Sequence, residues 1–591
     1  MTTQIAQNLI PPATQTSKAR TGGSYLAEAL QRSGLGTVFT LHGGHLDAFF
    51  VECRKYGISL TDTRHEATAG HAAAGYAKAT GTPAVAVVTS GPGFLNVVTA
   101  VGDAFLDRVP MIVIAGAPPL RESERNLLQA GIDQIGMIKP VTKFAFQVTH
   151  PWRIPEIVGL AKAKATEGVP GPVLIEVPID VLFDEAPEAE VRFPSYTAPG
   201  SFAGAAESQV AEAAELLTQA QRPLVFVGGG VTFAQAQEDL RALAEGLGLP
   251  VCAPNKSEGI IAHDAPEWGG GLGTAGALAM QGKAPDVVLM LGLRQGMFSG
   301  GAKGFFPDAA IIQVDIDGSE LGRIFDVEVP IAGDCRDVLQ QLRTATESEA
   351  TAGEIRSGRQ EWLTTVRTAR DSHAVQFADP KTETGRMHPY HASKAVIDAL
   401  PEDVTYVLDG GENAPWATYH LKARNVGDVL RIGYLGCLGV GQGYAMGAYT
   451  ANPRTTVIFT GDGALGFNIQ EFEAMVRHRI PIITVVYNNK VWGMSIHGQQ
   501  AVYGEEGVVV SRLEDSDYHK VCEAFGGYGE RVTALEDIPG AVQRAIDSGL
   551  PACLNLEIDP EVIHPTTLRL LGDIDNPDEI VVPYYSNFPR R

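Results

Sequence analysis

The chain has 591 residues, too many for one hydrophobic core, and 45% of them are hydrophobic, so two to four separately cored domains are expected. A formal net charge of −23 argues against nucleic acid or an anionic membrane surface as the main partner, while a local basic pocket for a phosphorylated ligand stays open. The six cysteines (Cys53, Cys252, Cys335, Cys437, Cys522 and Cys553) include no CxxC pair, which points away from zinc and disulfides and toward reduced thiols in a cytosolic protein.

In chain order, residues 1–20 lack acids and a continuous apolar run, so they read as a disordered arm rather than a secretory signal or a membrane span. Helical spacing at Leu26, Ala29 and Leu30 starts ordered structure near Thr21. The strand VFTL then runs into His42-Gly43-Gly44-His45, and βα units follow. They comprise a helix at 46–53, a strand at 58–62, a helix after Arg64, a strand at 84–88, the turn Ser90-Gly91-Pro92-Gly93, a helix from Phe94 and a strand at 111–115. Such alternation specifies a parallel sheet covered on both faces, and this first domain, 21–187, closes after the strand VLIEVP.

Residues 187–206 have no periodicity and read as a linker. A second α/β block, 206–346, carries strands at 223–230, 286–292 and 310–317. Gly228-Gly229-Gly230 meets the GxGxxG dinucleotide fingerprint only loosely; close strand–helix packing is the preferred reading, flavin or nicotinamide binding the other. The charged stretch 347–385 reads as a second linker around the helical WLTTVRTAR. A third α/β block, 386–565, is followed by a tail, 566–591.

The third block holds the densest signal. The apolar run 457–460 meets Gly461-Asp462-Gly463, a helical pattern covers 467–476, and a second apolar run, 480–487, meets Asn488-Asn489. A crossover of this kind joins parallel strands, so both polar turns lie at carboxyl ends of neighbouring strands, where open α/β sheets bind ligands. Asp462 and Asn489 then face one another. One carboxylate, one amide oxygen and a backbone carbonyl just beyond make an incomplete oxygen shell suited to Mg²⁺ and phosphate. The helix start after Gly463 adds N–H groups for a diphosphate. Alone, either residue is an ordinary turn former.

GDG followed by NN after a hydrophobic crossover resembles the motif of thiamine diphosphate (ThDP)-dependent enzymes. The order of blocks over roughly Thr21 to Pro565 looks like the group of acetolactate synthase, oxalyl-CoA decarboxylase and benzaldehyde lyase. The segments LHGGHLDAFF, DTRHEATAGHAAAGYAKATG, NLLQAGIDQIGM, GYLGCLGVGQG and NNKVWGMSIHGQQ are similar to benzaldehyde lyases almost position by position. The resemblance implies an α/β architecture of three doubly wound parallel sheets: pyrimidine-binding, middle and diphosphate-binding domains. It implies ThDP and Mg²⁺ as cofactors, with Asp462, Asn489 and the Val491 carbonyl as metal ligands. Glu66 falls on the cofactor pyrimidine, Leu438 beneath the cofactor as a prop, and Gly411, Gly436, Gly461, Gly463, Ala464, Trp492, Gly493 and Met494 around it.

On the substrate side the resemblance implies that His45 moves protons on the substrate hydroxyl, a role its near-neutral titration suits, and that Gln129 hydrogen-bonds it. His42, His65 and His71 read as turn or helix residues. The acyl pocket falls on Leu41, Gly44, Ile179, Ala414, Ile432, Met494 and Gly498. Several of these stand where benzaldehyde lyases have aromatic or His side chains, so an aryl substrate loses contacts of about 1 kcal/mol per aromatic pair. Small residues at Ala414 and Gly498 suggest an opened channel for a long acyl thioester. The tail residues Tyr584, Tyr585, Phe588, Arg590 and Arg591 suit either a lid over a phosphorylated ligand or an unstructured end.

The expected activity is a carbon–carbon lyase or carboligase acting on 2-hydroxy ketones or 2-hydroxyacyl-CoA thioesters through an enamine-carbanion. An acetolactate synthase-like carboligase is one alternative, and an oxidoreductase using the middle domain is another of a different class. The resemblance further implies a homotetramer with sites between subunits, and the cysteines suggest that it is cytoplasmic.

Overall fold

The computed structural model describes residues 19–195, 204–346 and 349–572, and within the tail residues 574, 576, 578–582, 585 and 587–590. The expected N-terminal arm lies almost wholly outside the described residues, as do Tyr584 and Arg591. Three six-stranded parallel sheets carry the fold, each flanked by helices. No helix among the described residues is long and apolar enough to cross a membrane.

The first sheet runs, edge to edge, Ser59–Asp62, Thr37–Thr40, Ala84–Val88, Met111–Ala117, Pro172–Pro178, Phe144–Gln147. The third runs Val429–Arg431, Val404–Leu408, Thr455–Gly461, Ile483–Asn488, Ala552–Glu557, Tyr528–Val532. Both have the same order, and in both the chain reverses direction across the sheet beside its first strand. Ligands collect at the carboxyl ends of strands around such a point. In the first sheet that crevice is built by residues after Thr40 and Val88, and in the third by residues after Leu408 and Gly461.

The middle sheet has the order Trp268–Gly270, Val251–Cys252, Pro223–Val227, Val287–Leu291, Ala310–Asp315, Val329–Ala332. At its reversal point a Cβ on Gly228 or Gly230 would run into the backbone of Gly292. These glycines therefore serve close packing, as preferred from the sequence.

The first and third domains share one core. Helix Glu66–Thr80 lies against helix Gly441–Ala451, and both are rich in Ala and Gly along the contact. A methyl group on Gly447 would strike the Ala72 carbonyl, and one on Gly75 would strike the Tyr444 backbone. Small residues thus set how closely the two domains approach.

Within the stretch expected as a second linker, the expected helix over WLTTVRTAR runs Gln360–Asp371, and a further helix, Glu349–Gly358, precedes it. Trp362, Leu363, Val366 and Ala369 form a buried stripe at helical spacing, and the Trp362 indole N–H donates to the Pro223 carbonyl at 2.6 Å. Of the charges that suggested a linker, Glu354, Glu361 and Asp371 are exposed, whereas Arg359 is buried. In the third domain the helix expected over 467–476 begins later, at Glu471–His478, after a one-turn helix, Asp462–Leu465.

Candidate active site

Register places the two polar turns together: Gly461 pairs with Tyr487 at the carboxyl ends of adjacent strands. Asp462 is 1% exposed; its Oδ1 accepts from the Gly463 N–H at 2.9 Å and its Oδ2 from the Lys490 N–H at 2.8 Å. Burial pushes its carboxyl up to about 6, although those two N–H groups pull it down. A cation here would favour the charged form and offset the cost of burying it. Lys490 has φ +63°, a left-handed conformation costly for a side-chain-bearing residue, and it sits between Asn489 and Val491.

The Val491 carbonyl is free of the local ladder. Val491 pairs with Arg512 in an antiparallel bridge whose bonds run from Leu513 N–H to the Lys490 carbonyl and from Trp492 N–H to the Ser511 carbonyl. Among the described residues no cluster of three His, Cys, Asp or Glu side chains could hold a metal ion. Asp462, Asn489 and this carbonyl would instead supply the mixed oxygen set that Mg²⁺ takes when phosphates complete its shell. The residues present fit that group.

Beside Asp462 and Val491 opens a cavity of about 960 Å³ between the third and middle domains; Asn489, buried with its Oδ1 accepting from the Val491 N–H at 3.4 Å, does not line it. Gly411, Ala414, Ile432, Gly436, Leu438, Gly461, Asp462, Gly463, Ala464 and Val491 to Met494 line one side; His263, Gly270 to Thr274 and Arg370 line the other. A Cβ on Gly463 would come within 2.6 Å of the Trp492 ring, and one on Gly411 would collide with the Met494 sulfur. Gly436 has φ +68°. Leu438, which sequence alone could not separate from core, is half-buried on the cavity wall.

Two supports of this wall escaped the sequence reading. Asp409 is buried and accepts from the N–H groups of Gly439 at 3.1 Å and Gly441 at 3.0 Å, fixing the turn that carries Leu438. Glu412, beside Gly411, accepts from the His564 N–H at 2.9 Å and pairs with His497 Nδ1 at 2.7 Å. Burial lowers the His497 pKa, but the bond to Glu412 outweighs it and the net shift is upward. Neither residue carries a motif, because each acts on a segment distant in sequence.

Glu66, His45 and Gln129 gather elsewhere, at the reversal point of the first sheet. His65 caps helix Glu66–Thr80, accepting from the Ala67 N–H, as expected of a turn residue. Glu66 is 7% exposed and accepts from Asn96 Nδ2 at 2.9 Å. His45 Nδ1 lies 3.3 Å from Thr89 Oγ1 and its Nε2 3.4 Å from Ser90 Oγ; burial lowers its pKa. The Ser90 hydroxyl donates to Gln129 Oε1 at 2.8 Å, and Gln129 holds φ +62°. Asn96 and Ser90 were not singled out from sequence.

None of these first-domain residues lines the 960 Å³ cavity; nor do Leu41, Gly44 and Ile179. Of the expected acyl-pocket residues only Ala414, Ile432 and Met494 do. Gly498 is a correction. It is buried, and a Cβ there would meet the Leu571 side chain at 3.5 Å, so the tail and not an opened channel fills the space. Tyr585 and Phe588 are exposed and do not reach the cavity.

Comparison with known proteins decides what this arrangement belongs to. Residues 20–137 match the thiamine pyrophosphate enzyme N-terminal TPP binding domain, residues 210–342 the central domain, and residues 409–556 the C-terminal TPP binding domain. The chain belongs to the thiamine pyrophosphate enzymes. It is 32% identical over 556 residues to a probable acetolactate synthase large subunit of Methanocaldococcus jannaschii, covering 91% of this chain and 92% of the relative. It is 33% identical over 591 residues to 2-hydroxyacyl-CoA lyase 2 of Danio rerio, covering 92% and 93%. It is also 29% identical to acetolactate synthase isozyme 2 large subunit of Escherichia coli, covering 91% and 95%. In this thiamine pyrophosphate enzyme Glu66 stands in the N-terminal TPP binding domain and Asp462 in the C-terminal one.

Proposed function

We propose that this enzyme is a ThDP- and Mg²⁺-dependent carbon–carbon lyase of the 2-hydroxyacyl-CoA type, working also as a carboligase. Size carries the reading: about 960 Å³ lies at the upper end of small-molecule sites, roughly 300–1,000 Å³, and leaves room for a long acyl thioester beside the cofactor. Apolar Ile432, Ala414 and Met494 at the cofactor end suit a short aliphatic acyl group, and Arg370 and Arg569 farther out suit phosphates. The relative named 2-hydroxyacyl-CoA lyase 2 agrees with this.

Asp462, Asn489 and the Val491 carbonyl would hold Mg²⁺ and, with it, the diphosphate. When bound, ThDP would supply a nucleophilic carbon and a sink for the charge left by carbon–carbon cleavage. Glu66 would hold the pyrimidine, and Leu438 would support the cofactor. His45, neutral near pH 7 because burial lowers its pKa, takes the proton of the substrate hydroxyl at Nδ1, the nitrogen without a proton, once the Thr89 hydroxyl 3.3 Å away turns aside. Gln129 donates to the same oxygen. Because Glu66, His45 and Gln129 are absent from the cavity that holds Asp462, a second copy of the chain completes each site, in a cytoplasmic homotetramer.

The relatives named acetolactate synthase favour a second reading, carboligation of 2-keto acids. The oxidoreductase reading gains no support: the cavity at the middle sheet's reversal point is about 100 Å³, below the range for a small-molecule site. The test is turnover of 2-hydroxyisobutyryl-CoA, pyruvate and benzoin at equal concentration by enzyme reconstituted with ThDP and Mg²⁺. Fastest ketone release from the thioester is expected. Preference for pyruvate selects the second reading, and preference for benzoin overturns the aliphatic pocket.

A further inference from the structure

Ser90 occupies a place among the first-domain residues that no motif marks. It follows strand Ala84–Val88 at the sheet's reversal point and is fully buried. Its hydroxyl lies 2.8 Å from Gln129 Oε1 and 3.4 Å from His45 Nε2, joining two residues 84 positions apart in sequence (129 − 45). The short turn that holds it is itself fixed. Gly91, next along, has φ +62° and donates its N–H to Gln134 Oε1 at 2.9 Å, while Gln134 Nε2 donates to buried Glu176 at 2.6 Å.

A hydroxyl has one proton to give and lone pairs to receive. The shorter bond, to an amide oxygen that can only accept, takes that proton. His45 Nε2 must then be the donor toward Ser90 Oγ, and His45 Nδ1 the acceptor from the Thr89 hydroxyl at 3.3 Å. The chain of bonds therefore has one direction: Thr89 to His45 to Ser90 to Gln129. It fixes neutral His45 in the Nε2–H tautomer and turns the Gln129 amide so that its oxygen faces Ser90 and its NH₂ faces away.

We propose that Ser90 is a positioning residue that couples His45 to Gln129, presenting the Gln129 amide as a donor to the substrate oxygen. The proposal rests on the lyase reading for the identity of that oxygen; the bond network itself does not. Without Ser90 the Gln129 amide is free to turn, a strained backbone conformation loses a partner, and His45 loses the acceptor that selects its tautomer.

The experiment compares wild type with Ser90→Ala, Gln129→Ala and the double variant, in structure and in rate. In a crystal structure of Ser90→Ala without substrate, the Gln129 amide is expected to leave its wild-type position by more than about 1 Å. This readout needs no activity. With whichever of the three donors wild type turns over fastest, Ser90→Ala is expected to lower kcat at least tenfold with KM within about twofold, and to move the acid limb of the pH profile. The double variant should match Gln129→Ala within about twofold, because Ser90 acts through Gln129.

If Ser90→Ala does not fold, Ser90→Cys replaces it, a thiol being a poor donor in a similar volume. An unmoved Gln129 amide overturns the proposal, as do Ser90 and Gln129 effects that simply multiply. Inactivity of wild type on the thioester, with Gln129 displaced in the Ser90 variant, overturns the lyase reading and leaves the positioning role standing.

Discussion

Asp462 shows how much one side chain can be made to do. It is buried, tied by two backbone N–H groups to both polar turns, and pushed up to about 6 by its surroundings. Asp462→Ala removes the carboxylate proposed to hold Mg²⁺ and also leaves the Lys490 and Gly463 N–H groups unmet, at roughly 1–3 kcal/mol each. The expected outcome is loss of ThDP retention by at least a hundredfold in Kd at fixed Mg²⁺, measured by isothermal titration. Asp462→Asn should keep the turn and lose most of the metal affinity. Retention of cofactor by the Ala variant would remove Asp462 from the site. Asp462 and Asn489 were legible in sequence because each ends an apolar strand and the two strands are consecutive. Ser90, Asn96, Asp409 and Glu412 were not, because each does its work on a segment dozens of residues away.

Among elements, what was legible followed from periodicity. Strand Ala84–Val88 was placed to the residue, and Thr455–Gly461 and Ile483–Asn488 nearly so, because buried parallel strands read as continuous apolar runs. Within the stretch 347–385 the helix over WLTTVRTAR was legible, but helix Glu349–Gly358 was not, because the composition there is charged and carries little apolar signal. Arg359, at the start of helix Gln360–Asp371, shows how firmly that region is built in. Its guanidinium is buried and donates to the carbonyls of Leu217, Ala220 and Leu247, at the carboxyl ends of two middle-domain helices. Burial lowers its pKa to about 10, so it stays charged through the neutral range. Arg359→Ala leaves three helix-end carbonyls without donors, at roughly 1–3 kcal/mol each. Thermal unfolding of that variant is expected roughly 5–10 °C below wild type, and an unchanged Tm would make the segment an appended linker after all.

At the scale of the whole molecule, one buried carboxylate touches all three domains, beside the shared core of the first and third and the ion pairs of Arg108 with Asp315, Asp317 and Glu320. Asp107 of the first domain takes Lys78 at 2.8 Å, Lys256 of the middle domain at 2.8 Å and the Tyr434 N–H of the third at 3.1 Å. Burial pushes its carboxyl up, but the two lysines pull it further down, well below the usual carboxylate range. With the domains tied in this way and the first domain's helix Glu66–Thr80 packed on helix Gly441–Ala451, Glu66 does not line the Asp462 cavity of its own chain. Subunit mixing tests the proposal that the two halves of the cofactor site come from different copies. Glu66→Ala and Asp462→Ala homo-oligomers should each be inactive. After unfolding and co-refolding in equal amounts, half of the pairs are mixed, and each mixed pair has one site with Glu66 and Asp462 both intact and one with neither. Activity should therefore return to about a quarter of wild type. If each chain built its own site, every site in the mixture would lack one of the two residues, and activity would stay at the level of the separate variants.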